Sequence, residues 1–589
     1  MSSGGSKPSK VEGIKIASEY LKGSLLDETT NGLDHFTDDA GVLLKFHGSY
    51  QQDDRDLRTE RKKQGLDKAY SAMVRVRIPG GRFTVEQYRV LDDLAERLGD
   101  GAMRITTRQE IQYHGVPKNN MKDVISTLNR SLLTTLAACG DVERNVLGCP
   151  APVKDRLHAE MREDLLAFAK HFAPRSPAYW DIWLDGERID GFLPEDLSKK
   201  FVATPGDDGV EPIYGNAYLP RKFKTAFAFA DDNCTDVLAN DLGFVAIEKD
   251  GAIAGWDIYV GGGMGTTPSS KRTFPALAVP ICYASRADFL KVSEAIIKVY
   301  RDFGDRSDRK RARLKYIIAD WGIDALRAKV EEYLGHAVEP STGTPITGVD
   351  DHLGWQPQGD GKWFLGIPVE NGRIKNAGSM HLKKGLREIV ERFGVGGAFT
   401  CQQSLMFTDI DAADKAAIEK ILEEHGIARV EQISTIRRWS MACPAMPTCG
   451  LAVTESERAL PGLMDQLEKT LTKLGLEDEA FTVRMTGCPN GCARPYNSDI
   501  GLVGRSAGRA EGGHSVPGTY TIFLGGRLIG DKLNRIYKDY VPFDKIDEEL
   551  EAVFTRFRDE RQPGESFGDF CGRVEIAAGE VAGGVETTA

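Results

Sequence analysis

Apolar and polar residues alternate through MVRVRIPGG (73–81), recur at helical spacing in FTVEQYRVLDDLAERLG (83–99), and alternate again through AMRITTRQEIQYHGV (102–116). Period two, then period 3.6, then period two predicts strand, Gly-Gly turn, amphipathic helix, strand. The same order returns in WFLGIPVENGRIKN (363–376), HLKKGLREIVERFG (381–394) and AFTCQQSLMFTDI (398–410). These read as two copies of one βαβ half-domain.

A looser repeat sets PRKFKTAFAFADDN (220–233) and GFVAIEKDGAIAGWDIYVGGGMG (243–265) against VRMTGCPNGCARP (483–495), DIGLVG (499–504) and TYTIFLGGRLIG (519–530). Helical stretches, MREDLLAFAKHF and LPGLMDQLEKTLTKLG, precede each copy. On this pairing the Arg-Lys-Phe-Lys of the first copy stands where the second has Cys-Pro-Asn-Gly-Cys. The chain is therefore expected to be a duplicated α/β (α+β) protein. Its expected parts are an N-terminal arm (1–66) outside the repeats, a first half-domain (67–130), a first large domain (131–345), a second half-domain (346–430) and a last domain (431–589). Residues 303 to 335 read as helices joining the halves, with RKRAR (309–313) on a solvated polar helix face.

A chain of 589 residues exceeds one hydrophobic core. Hydrophobic content of 41% and charged content of 28% are globular values, and no apolar run is long enough to span a bilayer. A net charge of −11 disfavours a general nucleic-acid partner but permits local basic clusters. The start, MSSGGSKPSK, reads as a short disordered leader without signal or transit character, which suggests a cytoplasmic protein. The glycine turns VGGGMGTTP and LGGRLIG lack the GxGxxG context of a dinucleotide site and read as strand-end turns.

Ten cysteines in such a chain are no disulfide framework, so clustering among them points to metal or catalysis. Four do cluster: Cys443 and Cys449 in ACPAMPTCG, Cys488 and Cys492 in TGCPNGCARP. Two prolines between the first pair, and Pro-Asn-Gly between the second, forbid regular helix and leave loop amides free to point at sulfur. Buried structural thiols and zinc are the competing readings. C-x5-C is awkward for a zinc knuckle, which favours a [4Fe–4S] cluster.

CPAMPTC and TGCPNGCARP, with FHGSYQQDDRD, RITTRQEIQYHGV, CGDVERNVL, YLPRKFK and IYVGGGMG, resemble the signature of assimilatory sulfite and nitrite reductases. The resemblance runs from about residue 12 to about residue 575. It implies ferredoxin-like half-domains and two siroheme-cluster domains, with siroheme and a [4Fe–4S] cluster as cofactors. Cys443, Cys449, Cys488 and Cys492 would hold the cluster, and Cys492 would also ligate the siroheme iron.

Siroheme carries many carboxylates and sulfite is an anion, so the site needs a high density of Arg and Lys. Arg75 and Arg77 alternate with Val74, Val76 and Ile78, which predicts both arginines on one strand face. By resemblance, Arg77, Arg144, Lys222 and Lys224 form the substrate quartet. Lys222 and Lys224, two apart on an extended segment, can present both ammonium groups to one side. Arg104, Arg108, Gln112, His114, Arg221, Gln403, Asn490 and Arg494 are assigned to cofactor carboxylates and cluster surroundings. Cys149 is the remaining thiol expected nearest the haem.

The reading is a six-electron reduction of sulfite to sulfide. Nitrite reduction is the alternative within the class, and Lys224 favours sulfite. A non-catalytic iron-sulfur carrier would explain the cysteines but not the arginines. No flavin or NADPH site is recognisable, so electrons come from a partner, with ferredoxin favoured over an NADPH-dependent flavoprotein. RKRAR or the Arg61, Lys62, Lys63 run would be the basic docking patch.

Overall fold

The computed structural model describes residues 7–189, 211–509 and 515–576. The first six residues of the expected leader and the chain beyond residue 576 lie outside them.

The alternation around Arg75 becomes the strand Tyr70–Val76, and the helical run becomes the helix Val85–Leu98, opened by a Thr84/Gln87 capping box. The first half-domain sheet runs Ser49–Asp53, Tyr70–Val76, Ile111–Val116, Met103–Ile105, Arg373–Ile374. The second runs Gly354–Pro357, Trp363–Ile367, Leu405–Ile410, Gly397–Phe399, Arg82–Phe83. The two orders correspond strand for strand, and each sheet takes its last strand from the other copy. Gly81 and Gly372 lead into the exchanged strands at φ 75° and 74°. A Cβ on Gly81 would stand 2.3 Å from the Phe399 carbonyl oxygen, and one on Gly372 would stand 2.2 Å from that of Ile105. Only glycine fits these two crossings. The arm is not wholly outside the repeat, because Ser49–Asp53 pairs with Tyr70–Val76 as Gly354–Pro357 pairs with Trp363–Ile367.

The second duplication is equally regular. One sheet runs Thr225–Ala228, Leu242–Lys249, Ala252–Val260, Val279–Ser285. Its counterpart runs Val483–Thr486, Ile500–Arg509, Ser515–Leu524, Arg535–Pro542, with Ser440–Ala442 added at the first edge. Ladder registers fix the correspondence. Thr225 opposes Leu242 as Val483 opposes Ile500, and Leu242 opposes Val260 as Ile500 opposes Leu524. This register corrects the expected pairing of loops. Arg221–Lys224 precedes its strand, whereas Cys488–Cys492 follows its own, so the counterpart of GCPNGCAR (487–494) is FADDNCTD (229–236).

One continuous core joins both half-domains to the first large domain, and a second core built on Leu460–Leu474 and Ile546–Glu560 fills the last domain. RKRAR is not on a polar helix. It lies in a loop before the helix Leu314–Trp321, where Arg309 pairs with Asp141, Arg311 with Asp320 and Arg313 with Asp241.

The half-domain sheet is tied to the last domain by Glu457. Its carboxylate takes Arg104 Nε at 2.8 Å and Arg373 Nε at 2.7 Å, from adjacent strands of one sheet. Burial alone would raise this carboxyl, but Arg104 and Arg373 outweigh it and hold it at about 2. Its contribution to stability is therefore complete above the ordinary carboxylate range and is lost as pH falls through that range toward 2. Glu457→Ala leaves two buried guanidinium groups uncompensated. It is expected to cost about 3–5 kcal/mol, read as a lowered unfolding midpoint at neutral pH, with the difference from wild type shrinking in acid.

Candidate functional site

Strands Ser440–Ala442 and Val483–Thr486 lie side by side and parallel, so Cys443 and Gly487 leave the sheet at the same end. The Gly487 amide donates to Cys443 Sγ at 3.3 Å, and Asn490 Nδ2 donates to Cys488 Sγ at 3.4 Å. Cys443 and Cys449 pack with Ala445, Met446 and Ala452 in one small apolar cluster. Burial, then the neighbouring cysteines, push the Cys443 and Cys449 thiols up, and Cys488 to about 12. Three thiols that resist ionising, supplied with amide donors and joined by Cys492, are a donor set completed by a positively charged soft centre. From the arm, the Arg55 amide donates to the Pro447 carbonyl at 3.3 Å, and Arg55 Nη1 donates to those of Cys449 at 3.0 Å and Ala452 at 2.5 Å.

Cys492 differs from its three partners: it is exposed, and it stands in the wall of a cavity. Arg108, Lys222, Lys224, Arg313 and Arg494 line the same cavity, with Thr107, Asn240, Met264 and Asn490. Among the described residues no carboxylate lines it. Arg313 is held by Asp241 at 2.7 and 2.6 Å, and Arg494 by Asp236 and by the carbonyls of Thr107 and Cys401. Arg108 donates to Asn240 Oδ1 at 3.0 Å and to the Asn145 carbonyl. Among the described residues Lys222 and Lys224 form no ion pair, and both are half-buried in the cavity lining. Burial, then Arg144 and Arg313, bring Lys222 down to about 7, and burial, then Lys222 itself, hold Lys224 well below the ordinary lysine range. Burial brings Arg108 to about 10. Such a cavity is a receptor for polyanions.

Of the residues named from sequence, Arg108, Lys222, Lys224, Asn490, Cys492 and Arg494 meet in this wall. Arg144 lies behind it, donating to the Gly140 carbonyl at 3.2 and 3.1 Å while its charge reaches Lys222. Arg221 stands with Asp141, Arg309 and Arg144, outside the lining. Arg77 does not share the outlook of Arg75: it is buried and donates to the Ala169 carbonyl at 3.0 Å. Arg75 is the one directed toward the site, 3.1 Å from Cys139 Sγ, with Glu110 and Cys492 in electrostatic range. Gln112, with its amide turned to satisfy both groups, accepts from Arg75 at 3.2 and 2.5 Å. Arg104 is committed to Glu457 and to the Ala442 carbonyl, and Gln403 donates to that same carbonyl at 3.0 Å. His114 is a buried structural histidine 3.2 Å from Gln52, held well below its ordinary pKa by burial. Cys149 is not in the cavity wall but beside Asp232 and His352.

Sequence reasoning missed Arg313 and Lys315. The Lys315 ammonium donates to the Gly263 and Gly265 carbonyls at 2.8 and 2.9 Å, fixing the glycine turn that carries Met264. The available signal was the apolar run LKYIIADW, which buries whatever precedes it.

The model of the nitrite and sulphite reductase 4Fe-4S domain matches residues 168–338. That of the nitrite/sulfite reductase ferredoxin-like half domain matches residues 64–131 and 356–425. A "Sulfite reductase [ferredoxin]" of Synechococcus elongatus is 44% identical over 97% of this chain and 90% of its own length. A "Sulfite reductase [NADPH] hemoprotein beta-component" of Shewanella sp. strain ANA-3 is 42% identical over 96% of both chains. The solved structure of the Mycobacterium tuberculosis NirA protein superposes with a TM-score of 0.75 at 26% identity, covering 97% of each chain. With duplicated half-domains, a four-cysteine site and near full-length likeness, the chain belongs to the nitrite and sulfite reductase family.

Proposed function

We propose that this protein is an assimilatory sulfite reductase that carries siroheme and a [4Fe–4S] cluster and reduces sulfite to sulfide. The observation that carries the reading is the cationic cavity with Cys492 in its wall. It fits a cofactor rich in carboxylates on the one side and a cluster thiolate on the other. Cys443, Cys449, Cys488 and Cys492 would hold the cluster, and Cys492, which lines the cavity, would be the thiol shared with the siroheme. When bound, the two cofactors supply low-potential electrons to the sulfur.

The chain's own residues bind the anion and deliver protons. Arg108, Arg313 and Arg494 are fixed by protein partners and serve as permanent positive charge. Lys222 and Lys224 are the adaptable pair: crowded, poorly solvated ammonium groups release protons readily to departing oxygens. Arg144 and Arg75 complete the positive field behind them. Lys224→Met is expected to lower sulfite turnover by about 10²-fold, with the haem absorption spectrum unchanged and nitrite turnover less affected. The last comparison tests the sulfite preference that Lys224 supports.

A donor lysine must be protonated to act, so turnover falls as pH rises past its pKa. Bound anions raise an ammonium pKa, which puts this alkaline limb at or above the value of about 7 that Lys222 has without them. In a pH–rate profile, Lys222→Met is expected to lose or displace the limb. An unchanged limb assigns the proton to another group.

An electron-donor protein must approach the cluster, and ferredoxin is the donor this surface suits. The helix Arg58–Lys63 follows Arg55, whose guanidinium grips the Cys449 loop, and it carries Arg61, Lys62 and Lys63. The exposed Leu451 and Val453 flank Ala452 on that loop. Basic charge around an apolar centre suits an acidic redox partner. RKRAR does not offer this patch, since Arg309, Arg311 and Arg313 are paired within the chain. Reversing Arg61, Lys62 and Lys63 to Glu is expected to cut the rate with reduced ferredoxin by at least about 10-fold at low salt and to spare the rate with a small dye reductant. Ten unpaired cysteines support a cytoplasmic location. Among the described residues no helix is long and apolar enough to cross a membrane.

A further inference from the structure

The first large domain has its own group of metal-ligand side chains at the position that corresponds to the cluster. The parallel bridge Leu147 to Ala226 corresponds in register to the pair Met441 and Arg484, so Cys149 stands where Cys443 stands in the other copy. Counting from the ends of the matched strands, Cys234 stands where Cys492 does, and Asp232 where Asn490 does. Counterparts of Cys449 and Cys488 are missing: Ala230 takes the place of Cys488. The open side is filled from elsewhere by His352, on the segment that leads into the second half-domain.

Cys149 Sγ lies 3.1 Å from Asp232 Oδ2 and 3.6 Å from His352 Nε2, and His352 Nε2 lies 3.0 Å from Asp232 Oδ2. With Cys234 Sγ, all four donor atoms fall within 4.8 Å of one another. Zinc bonds of about 2.3 Å to sulfur and about 2.0–2.1 Å to nitrogen or oxygen give tetrahedral edges of about 3.6 Å for S···N, about 3.5 Å for S···O and about 3.3 Å for N···O. The three edges among Cys149, Asp232 and His352 match within about half an ångström. A thiol nucleophile activated by a His–Asp pair does not fit, because that arrangement places thiol and carboxylate on opposite ring nitrogens. Here Cys149 and Asp232 both crowd Nε2, and the Asp350 carboxylate, 3.9 Å from Nδ1, is beyond hydrogen-bond reach. Supporting bonds aim the ligands inward: Asp232 Oδ1 accepts the amides of Cys234 at 3.2 Å and Asp350 at 3.1 Å, leaving Oδ2 for the centre.

The geometry points to a tetrahedral zinc site formed by Cys149, Asp232, Cys234 and His352, a structural staple between the first large domain and the segment entering the second half-domain. Binding Zn²⁺ displaces the two thiol protons to solvent, while imidazole donates a lone pair and the carboxylate its charge. The site then carries one net negative charge and involves no change of oxidation state. Its ligands are all protein groups, which marks a closed structural centre. It stands independently of the sulfite reading.

The test uses the full chain with its iron cofactors, dialysed against a weak chelator. Elemental analysis is expected to find stoichiometric zinc beside the iron. Cys234→Ser and His352→Gln should each lower zinc at least tenfold while leaving the siroheme and cluster absorption in place. Zinc-edge X-ray absorption of the unmodified protein, which needs no variant to fold, should show two sulfur neighbours at about 2.3 Å and two lighter ones at about 2.0–2.1 Å. Protein grown in zinc-supplemented medium that lacks zinc, zinc retained in both variants, iron in its place, or a Cys149–Cys234 disulfide by mass spectrometry would overturn the proposal.

Discussion

A single buried carboxylate, Asp236, organises the interior between the copies. It faces Arg494 directly and Arg484 at 2.8 Å, and these guanidinium groups hold it below the ordinary carboxylate range against the burial that would raise it. By register, Asp236 and Arg494 are each other's counterparts, and both have left-handed backbones, at φ 49° and 55°. Arg494 then donates to Thr107 and Cys401, which are counterparts in the two half-domains. One ion pair thus closes the meeting point of all four repeat units. Charges removed from water this far need matched donors, and Arg494 has all three nitrogens matched, by Asp236, Thr107 and Cys401. The match fixes the loop carrying Cys492 and the wall of the cationic cavity together.

The division of labour between the copies follows from what each kept. The last domain retains four thiols on two loops, and the first places Lys222 and Lys224 ahead of its strand. The sequence pairing that set these two against each other was in error by the length of a strand. Of the eight loop positions only Cys234 and Cys492 are identical, so the hydrogen-bond register is what defines the pairing. What remains true is that cluster thiols and anion-binding lysines face one cavity from different copies.

Local patterns were legible because their cause is local. Period two and period 3.6 exposed both half-domains, and proline-bounded cysteine pairs exposed the cluster loops. Residues defined by distant partners were not legible. Arg75 and Arg77 share a strand phase, yet only one looks toward the cavity, which depends on the Ala169 carbonyl ninety-two residues away. Arg313 reads as one cation in a surface run until Asp241, seventy-two residues earlier, is brought beside it. Cys149, Cys234 and His352 showed no motif at all because three separate loops deliver them.

The swapped strands Arg82–Phe83 and Arg373–Ile374 bear on how the chain comes to be folded. As it leaves the ribosome, the first half-domain sheet lacks its edge strand until 268 residues beyond Ile105, at Arg373, have been made. At about 5–20 residues per second, the edge beside Met103–Ile105 stays open for about 13–54 seconds. The first sheet therefore waits for the second copy, and neither copy is a domain able to complete itself. The same exchange describes a swapped homodimer whose subunits have been fused into one chain.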